Sequence, residues 1–443
     1  MMETKYFGTD GVRGEANQTL TVEMAYRIGR YLGAHYKQKN ILIGRDTRKS
    51  GIMFEAALVS GLTESGANVD LLGVCPTPSV AYLTRVKDYK AGVMISASHN
   101  PYYDNGIKLF NENGEKMNPE FEQKIEAYMD GAFELEKAER AEIGVAHNVS
   151  AQLREYLDFL KKTVTLDLTG VKVVLDLANG SATATSAVLF EELGAEVLTL
   201  FSEPDGVNIN LDCGSTHPET FCQKVKESGA HIGFAFDGDA DRVMVSDEKG
   251  TLIDGDKILY LCGQFMKENN SLKKNTIVTT VMANIGLYKA LEELGIATEK
   301  TQVGDKYVYE CMKEEDYNLG GEQSGHIIFR DSATTGDGLL TALKVMEVVM
   351  HYQKPVSELL VQVFIYPQLL INQKVKDKKK VLEDAEISAL ITEIGEELGD
   401  AGRILVRPSG TEPLIRVMVE AKTDELCDYY VHKVIALIEE KGM

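Results

Sequence analysis

The chain has 443 residues, 44% hydrophobic and 26% charged, with a formal net charge of −21. That length exceeds one ordinary core, so two to four domains are expected. The acidic balance argues against nucleic acid or an anionic membrane as a main partner, while a local basic cleft could still receive an anionic small molecule. No stretch reaches the length of a membrane span, and residues 1–10 hold no apolar core of signal-peptide length. The six cysteines are scattered without a C-x-x-C pair, which suits free thiols in a reducing cytosol, so a cytoplasmic location is expected.

In chain order a three-fold pattern emerges. Residues 41–43, 171–175 and 276–279 read as strands, each followed by a polar turn and an apolar-periodic helix (about 51–65, to about 193, and to about 294). Second strands follow at 69–72, 197–201 and 297–303. Each unit then adds a turn, a helical stretch and a third strand ending in a polar loop: 96–100, 237–242 and 320–326. Such alternation implies α/β layers with mainly parallel pairing, and three similar units in tandem imply three similar domains. Residues 130–148 read as a charged connection. A helix begins near Ser150, with Leu153, Tyr156, Leu157 and Leu160 on one face. After Pro367 the pattern changes: a charged segment (374–380), a helix (385–398), strands at 403–406 and 415–420, and a last helix (424–441) form a smaller α+β domain. The expected domains are 1–148, 149–254, 255–366 and 367–443.

The chemistry concentrates in loops. Val93 to Ile95 end a buried strand, and Pro101 forbids further ladder pairing. Asp104-Asn105-Gly106 reads as a second turn before a strand at 107–110. Ser98 thus sits on a tight loop with Lys108 returning nearby, a candidate nucleophile or phosphate acceptor; an ordinary proline-terminated loop is the plain alternative.

Asp237, Asp239 and Asp241 alternate with small residues and can turn oxygens toward one hard divalent cation. An EF-hand loop is disfavoured, because Arg242 stands where that loop needs glycine. Residues 320–326 (GGEQSGH) suit a loop gripping a polyhydroxylated ligand, with a half-buried structural role as the alternative for His326. Arg407-Pro408-Ser409-Gly410-Thr411, with Arg416 on the next strand, reads as a phosphate cradle. FGTDGVRG at residues 7–14 reads as a Gly-rich loop carrying Arg13. Thr47, Arg48 and Ser50 follow a strand end and read as polar helix caps rather than ligand groups.

Together these five ordered loops resemble the α-D-phosphohexomutase superfamily over essentially the whole chain. FGTDGVRG and GGEQSGH most resemble its bacterial phosphoglucosamine mutase branch. The resemblance implies three tandem similar mixed α/β domains plus a smaller C-terminal domain around a central cleft. It implies that Ser98 is the phosphorylated nucleophile, and that its phosphate binds one Mg²⁺ with Asp237, Asp239 and Asp241. Arg242 and Lys108 would neutralise the moving phosphoryl group. Arg13, Glu322 and Ser324 would contact substrate, and Arg407, Ser409, Gly410, Thr411 and Arg416 would bind its non-reacting phosphate. Lys108 and His326 are the candidates for proton transfer. The implied reaction converts glucosamine 6-phosphate to glucosamine 1-phosphate for amino-sugar nucleotide and cell-wall precursor synthesis. Glucosamine or glucose 1,6-bisphosphate could serve as activator. A small-molecule phosphosugar is the expected partner, without nucleic acid or membrane, and a homodimer is compatible. A phosphomannomutase/phosphoglucomutase is the alternative within the class. A metal-dependent phosphatase would leave the separate Ser98 loop without a purpose, and a non-catalytic sensor would need one of the loops disabled.

Overall fold

The computed structural model describes residues 5–408 and 413–442. By packing, the chain forms two units: residues up to 282 together with 296–360, and residues 283–295 together with 361 onward.

The first unit holds three sheets. The first contains β1 (Phe7–Gly8), β2 (Gly11–Glu15), β3 (Asn40–Arg45), β4 (Asn68–Val74), β5 (Ala91–Ile95), β6 (Asp104–Asn111) and β7 (Ala146–Asn148). The second contains β8 (Lys172–Asp176), β9 (Glu196–Leu200), β10 (Ile232–Phe236), β11 (Val243–Ser246) and β12 (Leu252–Ile253). The third contains β13 (Thr276–Thr280), β14 (Ala297–Thr301), β15 (Leu319–Gly321) and β16 (Ile327–Phe329). The spatial orders β6-β5-β3-β4, β11-β10-β8-β9 and β16-β15-β13-β14 repeat one topology. In each repeat three strands pair in parallel and a fourth returns antiparallel. The three-fold reading holds, with sheets more mixed than a mainly parallel pattern.

The side-chain period of two explains the layering. Ile41 and Ile43 of β3 join one core with Phe54, Leu58 and Leu62 of the helix Gly51–Glu64. Leu42 points the other way, into a core with Leu72, Val80, Leu83 and Met94. Strand β5 lies between β3 and β6 with all five residues buried, so it reads as a continuous apolar run. Truncating Leu42 to alanine would cost about 2–5 kcal/mol, because the packed face cannot collapse fully.

The second unit contains β17 (Gln368–Lys374), β18 (Arg403–Pro408) and β19 (Leu414–Glu420) in the antiparallel order β17-β19-β18. Val417 and Val419 pack with Ile394, Val431 and Val434 from the helices Ala385–Leu398 and Asp424–Glu440. The helix Ile285–Glu293 belongs to this unit: Ile285 N donates to Glu420 Oε2 (2.9 Å), and Asn284 Nδ2 to Tyr366 O (2.9 Å).

Several local expectations change. Asp104 to Gly106 are not a turn but the start of β6, paired with Glu15, Gly14 and Arg13 of β2. Residues 7–15 form the hairpin β1–β2 rather than a loop. The connection after residue 130 contains β7, which extends the first sheet parallel to β4. The stretch before the charged segment is a third C-terminal strand, β17.

Candidate active site

The Ser98, Asp237 and Glu322 loops follow the carboxyl ends of β5, β10 and β15, the third strand of each repeat. Ligands of open α/β sheets bind beyond such ends. Ser98 is fully buried at a φ of +53°, a conformation that costs a serine on the order of 1 kcal/mol and persists only where surroundings enforce it. Its N–H donates to Ser96 Oγ (2.9 Å) and its hydroxyl donates to Asp237 Oδ2 (2.5 Å). The His99 ring nitrogen Nδ1 lies 3.3 Å from the same hydroxyl. Burial, helped by Arg242 and Arg13, lowers the His99 pKa to about 4, so the ring is neutral at pH 7. Gly238 is required by close approach, since a Cβ there would lie 2.5 Å from Ser98 O.

The loop after β10 brings one carboxylate oxygen of each of Asp237, Asp239 and Asp241 within 4.8 Å of one another, and all three residues are buried. Thr77 Oγ1 donates to Asp239 Oδ2 (2.5 Å). Lys108 Nζ lies 2.7 Å from Asp239 Oδ2, 3.1 Å from Asp241 Oδ2 and 2.9 Å from Asp10 Oδ2. Burial alone would lower the Lys108 pKa, but Asp10, Asp239 and Asp241 outweigh it and hold the ammonium well above its ordinary range. Burial, then Asp241 and Asp239, pushes the Asp237 carboxyl well above the usual range. At Asp241 burial is overridden by Lys108, His326 and Arg242, and the pKa falls. The Oδ1 atoms of Asp239 and Asp241 are buried without a hydrogen-bond partner among the described residues. This all-oxygen, anionic donor set with two unused buried oxygens fits a hard divalent cation.

Cations and a histidine surround this centre. Arg13 pairs with Asp10, and Arg242 Nε lies 3.8 Å from Asp241 Oδ1. The Nε atoms of both arginines lack a hydrogen-bond partner among the described residues. Asp10 also binds Lys116 (2.9 Å), which reaches Asp305 (2.5 Å). His326 is 2% exposed, with Nε2 3.4 Å from Asp305 Oδ2, so it is buried rather than half-buried. Neither of its ring nitrogens has a hydrogen-bond partner among the described residues. The Glu322–His326 loop closes on itself through Glu322 N to His326 O (3.0 Å) and Gly325 N to Glu322 O (3.0 Å). Gly325 takes φ +88°, and a Cβ there would strike Val243 O at 2.3 Å. Glu322 Oε1 accepts from Gly304 N (3.1 Å); Ser324 is half-buried on the same loop.

In the second unit Arg407 and Arg416 are register partners on β18 and β19. Burial, then Arg416, lowers the Arg407 pKa. The Nε of each lacks a hydrogen-bond partner among the described residues. Ser409, Gly410 and Thr411 lie outside the described residues.

Sequence reasoning did not single out Asp10, Lys116 or Asp305, whose links join residues 106 and 189 positions apart. Asp10 lies inside the FGTDGVRG stretch and Asp305 in a recognised turn, so their positions were visible without their partners. The helix-cap reading of residues 47–50 fails. Ser50 precedes the helix Gly51–Glu64 without a side-chain cap bond, and its Oγ instead accepts from Asn105 Nδ2 (2.8 Å). Thr47 donates to Asn179 O (2.6 Å), and Arg48 turns into the Ser98 loop.

The repeated sheets, and a serine bonded to one of three clustered buried carboxylates, are the features expected of the α-D-phosphohexomutase superfamily. The chain belongs to the phosphoglucomutase/phosphomannomutase family. The α/β/α domain I model matches residues 4–136, domain II residues 154–250, domain III residues 254–365 and the C-terminal domain residues 370–437. A phosphoglucosamine mutase of Lachnoclostridium phytofermentans is 53% identical over 442 residues, 99% of each chain. One from Bacillus cereus is 51% identical over 441 residues, 98% of each. The crystal structure of a phosphoglucomutase/phosphomannomutase family protein from Burkholderia thailandensis superposes with a TM-score of 0.82 at 25% identity, covering 99% of this chain and 98% of that one. At the level of fold, Aspergillus fumigatus N-acetylphosphoglucosamine mutase, in complex with GlcNAc-6P and magnesium, matches with a TM-score of 0.69 at 17% identity, covering 100% of this chain and 96% of that one.

Proposed function

We propose that the protein interconverts glucosamine 6-phosphate and glucosamine 1-phosphate through a phosphoserine at Ser98 and a glucosamine 1,6-bisphosphate intermediate. The observation that carries this reading is the Ser98 hydroxyl, buried and hydrogen-bonded at 2.5 Å to one of three clustered aspartates. The full-length likeness to two phosphoglucosamine mutases supports the choice of sugar.

In the forward half-reaction the phosphoryl group leaves Ser98 Oγ. The P–O bond to the serine breaks as a new one forms to the free sugar hydroxyl, whose proton must leave. The bisphosphate then turns over, and its other phosphoryl group returns to Ser98. Phosphoryl transfer depends on positioning and charge stabilisation more than on covalent machinery. Arg13, Arg242 and Lys108 supply that charge. Asp10, Asp239 and Asp241 outweigh burial and favour the Lys108 ammonium, which suits charge neutralisation, and Lys108 and His326 both remain candidates for proton transfer. Glu322 and Ser324 would hold sugar hydroxyls, and Arg407, Ser409, Gly410, Thr411 and Arg416 the non-reacting phosphate. Asp237, Asp239, Asp241 and phosphorylated Ser98 would hold Mg²⁺. When bound, the ion withdraws charge from the phosphoryl oxygens.

The test is kcat/KM on glucosamine 6-phosphate beside glucose 6-phosphate and mannose 6-phosphate, with intact mass of the protein. One charge-assisted hydrogen bond to the 2-ammonium, worth about 1.5–3 kcal/mol, predicts a preference of roughly ten- to a hundred-fold. A phosphoryl adduct that Ser98→Ala removes, with loss of turnover, is expected. Equal or greater kcat/KM for glucose or mannose phosphate would reassign the substrate. Undiminished turnover by Ser98→Ala would end the phosphoserine reading.

A further inference from the structure

We propose that Arg48 is a positioning residue, whose guanidinium fixes the loop bearing Ser98 in the one conformation that aims its hydroxyl at the acidic centre. The inference rests on Ser98 being the phosphoryl carrier. Arg48 follows β3, the parallel neighbour of β5 in the sheet, and its side chain is fully buried. All five of its N–H donors are used. Nη2 donates to Ser98 O (2.8 Å) and Asn100 O (2.8 Å). Nη1 donates to Asp104 O (3.1 Å) and Pro101 O, and Nε to Asp46 Oδ2 (2.9 Å).

The arrangement is wired further. Asp46 Oδ2 accepts from Ser96 Oγ (2.6 Å), which accepts from Ser98 N (2.9 Å). From the second repeat, Asn210 Nδ2 donates to the same two carbonyls, Ser98 O (2.8 Å) and Asn100 O (3.0 Å). Three carbonyls of the Ser98 loop and that of Asp104, at the start of β6, are therefore turned toward one planar fork. Only a guanidinium can serve them together, because a lysine ammonium offers three donors from a single point. With Ser98 O held by Arg48 and Asn210, the serine keeps its φ of +53° and its hydroxyl faces Asp237. Arg48 reaches backbone carbonyls and the Asp46 carboxylate and touches no reacting atom, so its influence on the reaction passes through Ser98.

Misplacing a reacting atom by about 1 Å can cost on the order of a hundred-fold in rate without weakening substrate binding. The experiment compares Arg48→Lys, Asn210→Ser and Arg48→Lys/Asn210→Ser with wild type and Ser98→Ala. Readouts are kcat, KM for the sugar phosphate, thermal midpoint and the single-turnover rate of Ser98 phosphorylation by a hexose 1,6-bisphosphate. Arg48→Lys is expected to lower kcat and the phosphorylation rate by about thirty- to a hundred-fold with KM within about threefold. Asn210→Ser is expected to lower them less, and the double variant to fall short of the product of the two, since both donors hold the same carbonyls. If Arg48→Lys does not fold, Asn210→Ser decides alone. Wild-type kcat and phosphorylation rate in the folded variants, or a rise in KM with kcat unchanged, would overturn the proposal. If Ser98→Ala is inactive in that case, the phosphoserine reading stands and only Arg48 loses its role. If Ser98→Ala turns over normally, that reading falls first.

Discussion

The Ser98 hydroxyl reaches Asp237 Oδ2 at 2.5 Å across 139 residues of sequence. The bond joins the first sheet's loop to the second sheet's acidic loop, where the Oδ1 atoms of Asp239 and Asp241 lie buried without a hydrogen-bond partner among the described residues. Buried charged oxygens of this kind are costly unless compensated. Asp239→Asn should therefore weaken Mg²⁺ or Mn²⁺ binding, measured directly by calorimetry, by at least about tenfold, as loss of one charge-assisted contact implies. The folded state should survive, because Thr77 and Lys108 still border the position. Unchanged metal affinity in this variant would remove Asp239 from the metal site.

The parts of this centre differed in how far they could be read from sequence. Ser98 and the three aspartates were legible because their chemistry is compressed into contiguous loops at strand ends. The three-fold strand order was legible because apolar runs such as Ile41 to Ile43 alternate with helical periods. Arg48 was not, because its five bonds link it to residues up to 56 positions away, and a polar residue just ahead of a helix reads first as a cap. Asp10 and Asp305 were missed for the same reason: each is a turn residue until Lys108, Lys116 and His326 are brought to it. Strand β7 has three exposed residues and no apolar signal of its own; it exists through pairing with β4. Strand β17 mixes Leu369, Leu370 and Ile371 with amides beside a lysine-rich run, which hides its alternation.

Arg407 and Arg416 give a prediction in which binding and stability move in opposite directions. They stand directly opposite each other on β18 and β19, and like charges so placed are destabilising by about 0.2–1 kcal/mol. A pair of this kind is favourable only when an anion lies between the guanidiniums. Arg407→Met should raise KM for the sugar phosphate by roughly ten- to a hundred-fold, the loss of one charge-assisted contact. It should leave the ligand-free thermal midpoint unchanged or slightly higher. A fall in stability with KM unchanged would assign Arg407 a structural role instead.

Glu122 gives a pH-dependence whose sign is opposite to that of an ordinary ion-paired carboxylate. It lies on the helix Pro119–Met129 and is 8% exposed. Burial pushes its carboxyl from 4.5 to about 7; Lys306 opposes the rise, the neighbouring Glu126 adds to it, and Lys116 opposes it. Glu126 is itself committed to the N-terminal strand, accepting from Tyr6 N (2.6 Å) and Phe7 N (2.9 Å). The folded pKa lies above the unfolded one, so between pH 4.5 and 7 the native chain holds a proton that the unfolded chain has lost. Stability therefore falls as pH rises through that window, and the full penalty remains above it. Its size is on the order of 1–3 kcal/mol. Glu122→Gln keeps the shape and removes the ionisation. It should raise the thermal midpoint at pH 8, leave it nearly unchanged at pH 4.5, and flatten the difference curve between. A gain or loss of equal size at both pH values would show that packing, not ionisation, governs this position.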